Sequence, residues 1–301
     1  MRTLNISFAN EEDKKEFVME CERDFENRLT VASEKVIKSG KKNILLSGPT
    51  CSGKTTTANK IIGDFVKDGK KITVISFDDF FKERLDERKV DESERIDYDS
   101  VEVMDLELLR ECVSNIKPGS IFKVPAFDFV SQKRKDFTEH RVEKDDILIF
   151  EGIQAVYPEI TSLFGTDYTG IFINVNEDVL LNGIFFSRDE IRFIRRIVRD
   201  RKFRGASPDF TYFLWQTVRE NEDKNIFPNK NICSVQIDSF MGYELFLMKK
   251  YVLETLKEVK KDGLYFEEAE KLKEKFEKLD EISYDYIPAN SLYTEFLGKK
   301  N

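Results

Sequence analysis

The stretch GPTCSGKT at residues 48–55 decides the fold. Its two glycines, its lysine and its final threonine stand at the spacing of the phosphate-binding pattern GxxxxGK[ST]. The apolar run ILL at 44–46 lies just before it and predicts a buried strand, and apolar residues at helical spacing follow within 56–67. A strand, a glycine-rich loop and a helix in this order predict a site for the phosphates of a nucleotide.

The chemistry of phosphate binding explains the residue types in this loop. Glycines allow backbone N–H groups to turn toward phosphate oxygens, and the following helix adds its positive end. Lys54 supplies a cation to the outer phosphates, and the hydroxyl of Thr55 is a ligand for Mg²⁺. The nearest match to a guanine-reading NKxD, NKNI at 229–232, lacks the aspartate, so a GTPase is not favoured. We therefore predict ATP and Mg²⁺ here, with nucleotide contacts from Gly48, Pro49, Thr50, Cys51, Ser52, Gly53, Lys54, Thr55 and Thr56.

Composition narrows the class of protein. The 301 residues are 40% apolar and 35% charged, with a net charge of −8, and this lack of a basic excess argues against a nucleic-acid partner. The N-terminal residues have no apolar signal region and no run is long enough to span a bilayer, so we expect a cytoplasmic protein with no membrane partner. The four cysteines form no CxxC and His140 is the single histidine, which excludes a Cys/His zinc site and a disulfide framework. We expect His140 in a solvated loop.

Two carboxylates stand directly after predicted strands. Asp78 follows the strand predicted at 71–77, and Glu151 follows the strand predicted at 146–150. Ligands of open α/β sheets bind beyond the carboxyl ends of the strands. A kinase needs a carboxylate to take the proton of the acceptor hydroxyl and oxygen ligands to hold Mg²⁺. We predict Asp78 as the base and as a metal contact and Glu151 as a metal ligand, with Asp79 turned away by strand alternation.

A basic segment, RFIRRIVRDRKFRG at 192–205, is unusual in an acidic chain. Four of its arginines fall on one helical stripe, while the intervening apolar residues pack. Arginines on a mobile lid would close over ATP phosphates and stabilise the charge of the transferring phosphoryl group. The alternative is a solvated helix whose arginines pair with nearby carboxylates. The stripe consists of Arg192, Arg195, Arg196 and Arg199.

These motifs, in this order, resemble the uridine kinase and phosphoribulokinase family of P-loop kinases. The likeness is most specific to a bacterial uridine-kinase-like group, whose members often carry an N-terminal region similar to part of threonyl-tRNA synthetase. The resemblance rests on GPTCSGKT, ISFDDFF (75–81), DYDSVEVMDLELL (97–109), VPAFDFVSQKR (124–134), ILIFEGI (147–153), RRIVRDRKFRG (195–205), the WxxVRxxExKNIFP-like text at 215–228 and IPANSLYTEFLG (287–298).

The resemblance implies a role for individual residues. It implies that Asp78 is the general base, that Thr55 and Glu151 serve the metal, and that Asp99 holds ribose hydroxyls. Arginines of the basic segment are implied near the ribose and the phosphates. The implied catalytic residues are Asp78, Lys54, Arg199 and Arg204, and the implied substrate-binding residues are Asp99, Phe127, Phe129, Gln132 and Arg196.

The chain departs from well-studied uridine kinases around the base. Phe127, Gln132 and Phe81 stand where those enzymes have Tyr, His and Tyr, and Ala206 replaces the second arginine of their RGR lid. We expect an ATP- and Mg²⁺-dependent kinase of a small-molecule hydroxyl, with the 5′-hydroxyl of uridine or cytidine first. The alternatives are another small alcohol, such as a sugar phosphate or a pantothenate-like compound, and a non-catalytic ATP-binding regulatory protein. The family also implies a homo-oligomer.

Alternating strands and helices predict the α/β class. We expect a three-layer fold of the P-loop NTPase type with a mostly parallel sheet and helical N- and C-terminal extensions. Residues 1–40 are predicted as a helical extension, 41–260 as the P-loop kinase domain, and 261–301 as a C-terminal helix and tail. The charged text at 82–94 is predicted to be a mobile loop.

Overall fold

A five-stranded parallel sheet forms the centre of the chain in this computed structural model, which describes residues 1–67, 69–83, 99–128 and 131–300. The predicted α/β class with a mostly parallel sheet is confirmed. From one edge to the other, its strands are β3 (Ile72–Ser76), β8 (Ile147–Glu151), β2 (Asn43–Ser47), β9 (Tyr168–Asn174) and β12 (Val235–Asp238).

The order of these strands places the phosphate loop at the carboxyl end of the middle strand of the sheet. The chain leaves β2, builds β3 and β8 on one side of it, and then crosses to build β9 and β12 on the other side. Such a reversal opens a crevice at the carboxyl end of the strand where the order changes. The phosphate loop follows β2 directly, so it lies in that crevice.

Helices cover both faces of the sheet and make three layers. Because strand side chains alternate, Ile44 and Leu46 of β2 enter one apolar core and Leu45 enters the other. In chain order the helices are α1 (Glu11–Ser39), α2 (Lys54–Lys67), α3 (Leu106–Ser114), α4 (Pro158–Phe164), α5 (Arg188–Phe203), α6 (Pro208–Asn221), α7 (Glu244–Leu256), α8 (Phe266–Glu277) and α9 (Thr294–Leu297).

Within the described ranges, three small sheets that the sequence did not predict accompany the central sheet. Residues 121–128 form two short strands, one on each side of Pro125, and these strands pair with different partners. One small sheet joins the N-terminus to the region after β9. The strands are β1 (Arg2–Leu4) with β10 (Val179–Leu181) and β11 (Ile184–Phe186), β4 (Ile121–Val124) with β7 (Thr138–Arg141), and β5 (Phe127–Asp128) with β6 (Lys133–Arg134).

The predicted place of His140 is wrong. The residue lies in β7, and its ring stacks on Phe122 of β4 with the centroids 5.4 Å apart. The partial burial of the imidazole lowers its pKa. A cross-strand aromatic partner, which the charged local sequence does not reveal, explains the position. The four cysteines are free thiols.

Both ends of the chain pack into the body of the protein. Helix α1, capped at its start by Asn10, contributes Val18 and Phe25 to the core beside the sheet. The C-terminal residues contribute Leu292 and Phe296 to the same core. The division at residues 40 and 260 stays a prediction. No helix in the described ranges is long and apolar enough to cross a bilayer.

Candidate active site

Steric contacts require both glycines of the phosphate loop. A Cβ on Gly48 would lie 2.1 Å from the carbonyl oxygen of Ile173 in β9. Gly53 has φ +91°, and a Cβ there would lie 2.4 Å from Cδ1 of Leu292. Cys51 also has a positive φ of 56°. The loop therefore turns tightly against β9 and delivers the chain to the N-terminus of α2.

The first turn of α2 presents the loop's polar groups. Lys54 Nζ donates to the carbonyl oxygens of Gly48 (2.9 Å) and Pro49 (3.1 Å), so its cation is held over the loop. Thr55 is exposed to solvent. The N–H and the hydroxyl of Thr56 donate to one carboxylate oxygen of Glu295, at 3.4 Å and 2.9 Å. These donors therefore already bind an anionic oxygen, which is the kind of atom that the start of a helix favours.

Asp78 and Asp79 are separated by a helical turn and not by strand alternation, so that part of the prediction is wrong. Strand β3 ends at Ser76, whose hydroxyl caps a 3₁₀ turn at Phe77–Phe80 by accepting from the N–H of Asp78. Asp79 accepts from the backbone N–H of Phe127 at 3.1 Å. Asp79 therefore holds strand β5, whereas Asp78 lies within electrostatic range of the Lys54 ammonium.

Asp78 and Glu151 share one electrostatic environment. Ser76 and Glu151 are register partners at the ends of β3 and β8, and the serine hydroxyl donates to Glu151 Oε1 at 3.1 Å. The loss of hydration raises the pKa of both carboxyls, and Lys54 opposes that rise. Solvent reaches Asp78, but the protein atoms around its recess still reduce its hydration. The ends of β3 and β8 thus bring two acids together beside the lysine.

Two of the four stripe arginines contact the phosphate loop from the side of the protein core. Arg192 makes two contacts with Glu222, at 2.6 and 2.7 Å, and Arg195 makes two with Glu244, at 2.5 and 2.7 Å. Both side chains are fully buried. They donate to loop carbonyls, those of Thr50 (3.3 Å) and Cys51 (3.1 Å) respectively. The stripe predicted from helical spacing therefore does not face one site: Arg192 and Arg195, three apart on α5, face the core.

Three further arginines of the basic segment, Arg196, Arg199 and Arg204, surround one buried carboxylate. Asp200 Oδ2 lies 3.2 Å from Arg196 Nε, and its Oδ1 lies 2.7 Å from Arg199 Nη2 and 3.5 Å from Arg204 Nε. Arg196 also donates to the hydroxyl of Thr50 at 3.4 Å. Three guanidinium charges against one carboxylate leave an excess of positive charge beside the loop. The excess lies within electrostatic range of the acids: loss of hydration raises the pKa of Asp78, and the charge of Arg204 opposes that rise.

Asp200 was missed by the sequence reasoning, although its signal was present. It stands four residues after Arg196 and four before Arg204 within the basic segment, which is the spacing of neighbours on a helix. The predicted pairing of arginines with carboxylates therefore exists. It is not the solvated pairing of the alternative interpretation, because Asp200 is only 4% exposed.

Of the predicted substrate-binding residues, Phe127 and Gln132 lie on the hairpin next to Asp79, and Asp99 lies on the segment before α3. The buried ring of Phe127 meets Phe81 edge to face, with the centroids 5.8 Å apart. Gln132 has φ 54° in the turn between β5 and β6. The backbone carbonyl of Asp99 accepts from the hydroxyl of Tyr157 at 2.8 Å. Phe129 and residues 84–94 of the predicted mobile loop lie outside the described residues.

The C-terminal segment reaches the loop, which the sequence did not predict. Leu292 fills the space beside Gly53, and Glu295 binds Thr56. The hydroxyl of Tyr293 donates to Glu244 at 2.8 Å. Thr56 and Glu295 lie more than 200 positions apart in the sequence. No local sequence pattern could therefore reveal their contact.

Comparison with known proteins identifies the family. A model of the phosphoribulokinase / uridine kinase family matches residues 44–245. The chain belongs to this family. It is therefore a kinase of the P-loop type, an ATP-dependent phosphotransferase. The matched residues include the phosphate loop, the carboxylates Asp78 and Glu151, and helix α5 with its arginines.

Individual relatives of this kinase are more distant. It is 31% identical to a uridine kinase of Ureaplasma parvum serovar 3 over 197 residues, which cover 64% of this chain and 86% of that protein. It is 29% identical to a uridine kinase of Limosilactobacillus reuteri over 203 residues, 66% of this chain and 84% of that one. A solved structure described as a possible uridine kinase from Bacillus stearothermophilus is 19% identical, with a TM-score of 0.40 over 48% of this chain and 79% of its own.

The oxygen donors of this kinase site suit Mg²⁺. Among the described residues, no three His, Cys, Asp or Glu side chains converge as a complete metal cage. Mg²⁺ at phosphate-transfer sites is held by only one or two carboxylates together with water and substrate phosphates. The hydroxyl of Thr55 and the carboxylates of Glu151 and Asp78 are donors of this kind.

Proposed function

We propose that this kinase transfers the γ-phosphoryl group of ATP to a primary hydroxyl of a nucleoside, with Mg²⁺ bound to the phosphates. The observation that carries the proposal is the placement of Asp78 beside Lys54, where the phosphate loop meets the ends of β3 and β8. A base and a phosphate-binding cation in one recess are what phosphoryl transfer to an alcohol requires. An ATP-binding regulatory protein has no need of the base.

In the proposed reaction, Asp78 takes the proton of the acceptor hydroxyl. The oxygen then bonds to the γ-phosphorus as the bond from that phosphorus to the leaving β-phosphate oxygen breaks, which releases ADP. Mg²⁺, bound at Thr55 and Glu151, would neutralise charge on the phosphates. Lys54 would hold the outer phosphates, and the excess positive charge of Arg199 and Arg204 would meet the transferring group.

We propose uridine and cytidine as the first acceptors. The support is the family and the hairpin that carries Phe127 and Gln132 beside the proposed base. The acid side chain of Asp99 and the guanidinium of Arg196 would hold the ribose. The apolar Phe81 and Phe127 replace polar residues of well-studied uridine kinases, and this departure is why a sugar phosphate or a pantothenate-like alcohol stays a second candidate.

A screen of acceptors tests the proposed function. We expect ADP release with ATP and Mg²⁺ to rise most when uridine or cytidine is added, compared with purine nucleosides, sugar phosphates and pantothenate. Nucleoside 5′-monophosphate should form in equal amount to ADP. A response to a sugar phosphate or to pantothenate alone would transfer the assignment to that alcohol. ATP binding without ADP release for any acceptor would favour the regulatory alternative.

We further propose that the chain belongs to the bacterial uridine-kinase-like group and acts in the cytoplasm as a homo-oligomer. The support for the group is the text IPANSLYTEFLG at 287–298, which lies beside the phosphate loop.

The arginines around Asp200 give a separate prediction. Arg199→Ala and Arg204→Ala are each expected to lower kcat by about 10²–10³-fold, with a smaller change in ATP affinity, if they act mainly on transition-state charge. Steady-state kinetics and binding titrations measure the two effects. Arg201→Ala is the matched control, since Arg201 lies on the same helix and pairs at the surface with Glu258 at 2.7 Å. Normal turnover in both test variants would mean that these arginines serve only structure.

A further inference from the structure

Glu295 holds the donors that a nucleotide needs. Its Oε2 accepts from the Thr56 hydroxyl at 2.9 Å and from the Thr56 N–H at 3.4 Å, at the first turn of α2. In a P-loop, backbone N–H groups and hydroxyls at this turn bind phosphate oxygens. The carboxylate and a phosphate cannot accept from the same two groups at once.

The position of Glu295 is built by its neighbours and is not that of a free tail. We define the C-terminal strap as residues 291–297. Within it, Leu292 packs on Gly53 of the loop, and the buried Tyr293 donates to Glu244 at 2.8 Å. Lys202 of α5 donates to the carbonyl of Leu297. The strap thus touches the phosphate loop and both helices that support it, and these contacts aim one carboxylate at Thr56.

The charges around Glu295 also oppose a bound nucleotide. The carboxylate lies within electrostatic range of both Glu151 and Arg199. It therefore adds a third negative charge to a recess that already contains Asp78 and Glu151. At the same time it offsets part of the positive charge of Arg199, which the triphosphate would otherwise meet in full.

From this geometry we infer that the C-terminal strap is self-inhibitory: Glu295 competes with a nucleotide phosphate for Thr56, and the strap must shift when the nucleotide binds. The inference rests on the proposed binding of ATP at the loop. The strap also contacts Glu244 and Lys202 of α5. A shift of the strap would therefore change the contacts of both residues.

Glu295→Gln tests the competition while keeping the shape of the side chain. Charge-assisted hydrogen bonds are about twice as strong as neutral ones, so the amide should be a weaker competitor. We expect the Kd for ATP with Mg²⁺, measured by calorimetry without any acceptor, to fall about tenfold. Glu281→Gln is the matched control, because it removes the same charge from an exposed residue near the same end of the chain. The control should leave the Kd unchanged.

A second measurement follows the strap itself. The amides of Leu297 and Gly298 donate to the carbonyls of Tyr293 and Thr294. In the wild-type protein, ATP should make these amides exchange faster with deuterium, and in Glu295→Gln they should exchange faster even without ATP. Unchanged exchange would contradict a strap that moves.

The outcomes separate this inference from the proposed function. If the wild type binds ATP and Glu295→Gln binds it equally well or more weakly, the competition is refuted while the kinase assignment stands. Weaker binding would make Glu295 a favourable contact of the nucleotide or its metal. If neither protein binds ATP with Mg²⁺, the proposed function fails and the inference fails with it.

Discussion

Lys54→Ala is expected to reduce ATP turnover below detection. The ammonium of Lys54 bonds to the carbonyls of Gly48 and Pro49, which holds it over the phosphate loop, and its charge is felt by both Asp78 and Glu151. A single neutral oxyanion donor contributes about 10²–10³-fold to kcat, and a full cation on the transferring phosphates should contribute more. An assay coupled to ADP release, with the proposed nucleoside acceptor, measures the loss.

A control separates this loss from unfolding. Lys54 contributes little to either apolar core, so the thermal unfolding midpoint of Lys54→Ala should stay close to that of the wild type. Lys42→Ala removes an equal charge at the opposite end of β2, where Lys42 pairs at the surface with Asp145 at 3.5 Å, and it should turn over ATP normally. Full activity in folded Lys54→Ala would refute the assignment of the loop to catalysis.

Local sequence patterns were sufficient for the central sheet and for the loop. Strand β2 has a continuous apolar run, and helix α2 has apolar residues at helical spacing. The loop between them has the residue spacing of a phosphate-binding loop. The small sheet of β1, β10 and β11 was not predicted, since three-residue strands have no period to read. Its pairing of residues 2–4 with residues 179–181 is a property of the tertiary fold.

The roles of the arginines could not be separated from the sequence. Helical spacing places four of them on one broad stripe, but Glu222, which pairs with Arg192, and Glu244, which pairs with Arg195, lie 30 and 49 residues further along the chain. Only the fold shows that these two carboxylates are buried on the core side of the loop. Truncating Glu244 would remove the carboxylate that the buried Arg195 contacts twice, whereas Arg192 would keep its ion pair with Asp189 at 2.8 Å. The residues nearer the site, around Asp200, keep their excess of positive charge.

The different directions of Asp78 and Asp79 result from a turn and not from strand alternation. Strand alternation was expected to turn Asp79 away, but β3 has already ended at Ser76, and a 3₁₀ turn separates the two side chains. Asp78 faces the charge of Lys54, whereas Asp79 is bonded to the N–H of Phe127. A serine that caps the turn is a local signal, yet an apolar strand followed by FDDF does not reveal where the strand stops.

The ionisation of Asp78 has a consequence for activity. The recess raises the pKa of this carboxyl, so a larger fraction is protonated at mildly acidic pH than for an ordinary aspartate, whose pKa is about 3.9. Only the ionised form accepts the proton of the acceptor. The acid limb of kcat/KM, which reports the free enzyme, should therefore lie above about pH 4 and activity should fall as the pH drops through it.

Asp78→Asn is accordingly expected to lower kcat by about 10²–10⁴-fold, the usual contribution of a positioned base, while ATP still binds. Asparagine keeps the shape of the side chain and removes the group that accepts the proton. Asp79→Asn is the matched comparison from the adjacent position: its amide oxygen can still accept from Phe127, so the hairpin should hold and kcat should change by less than about tenfold. Because both changes remove one negative charge from the same turn, a difference between them reports position and not charge. The reverse ranking would make Asp79 the base, and wild-type rates in both variants would exclude a carboxylate base at this turn.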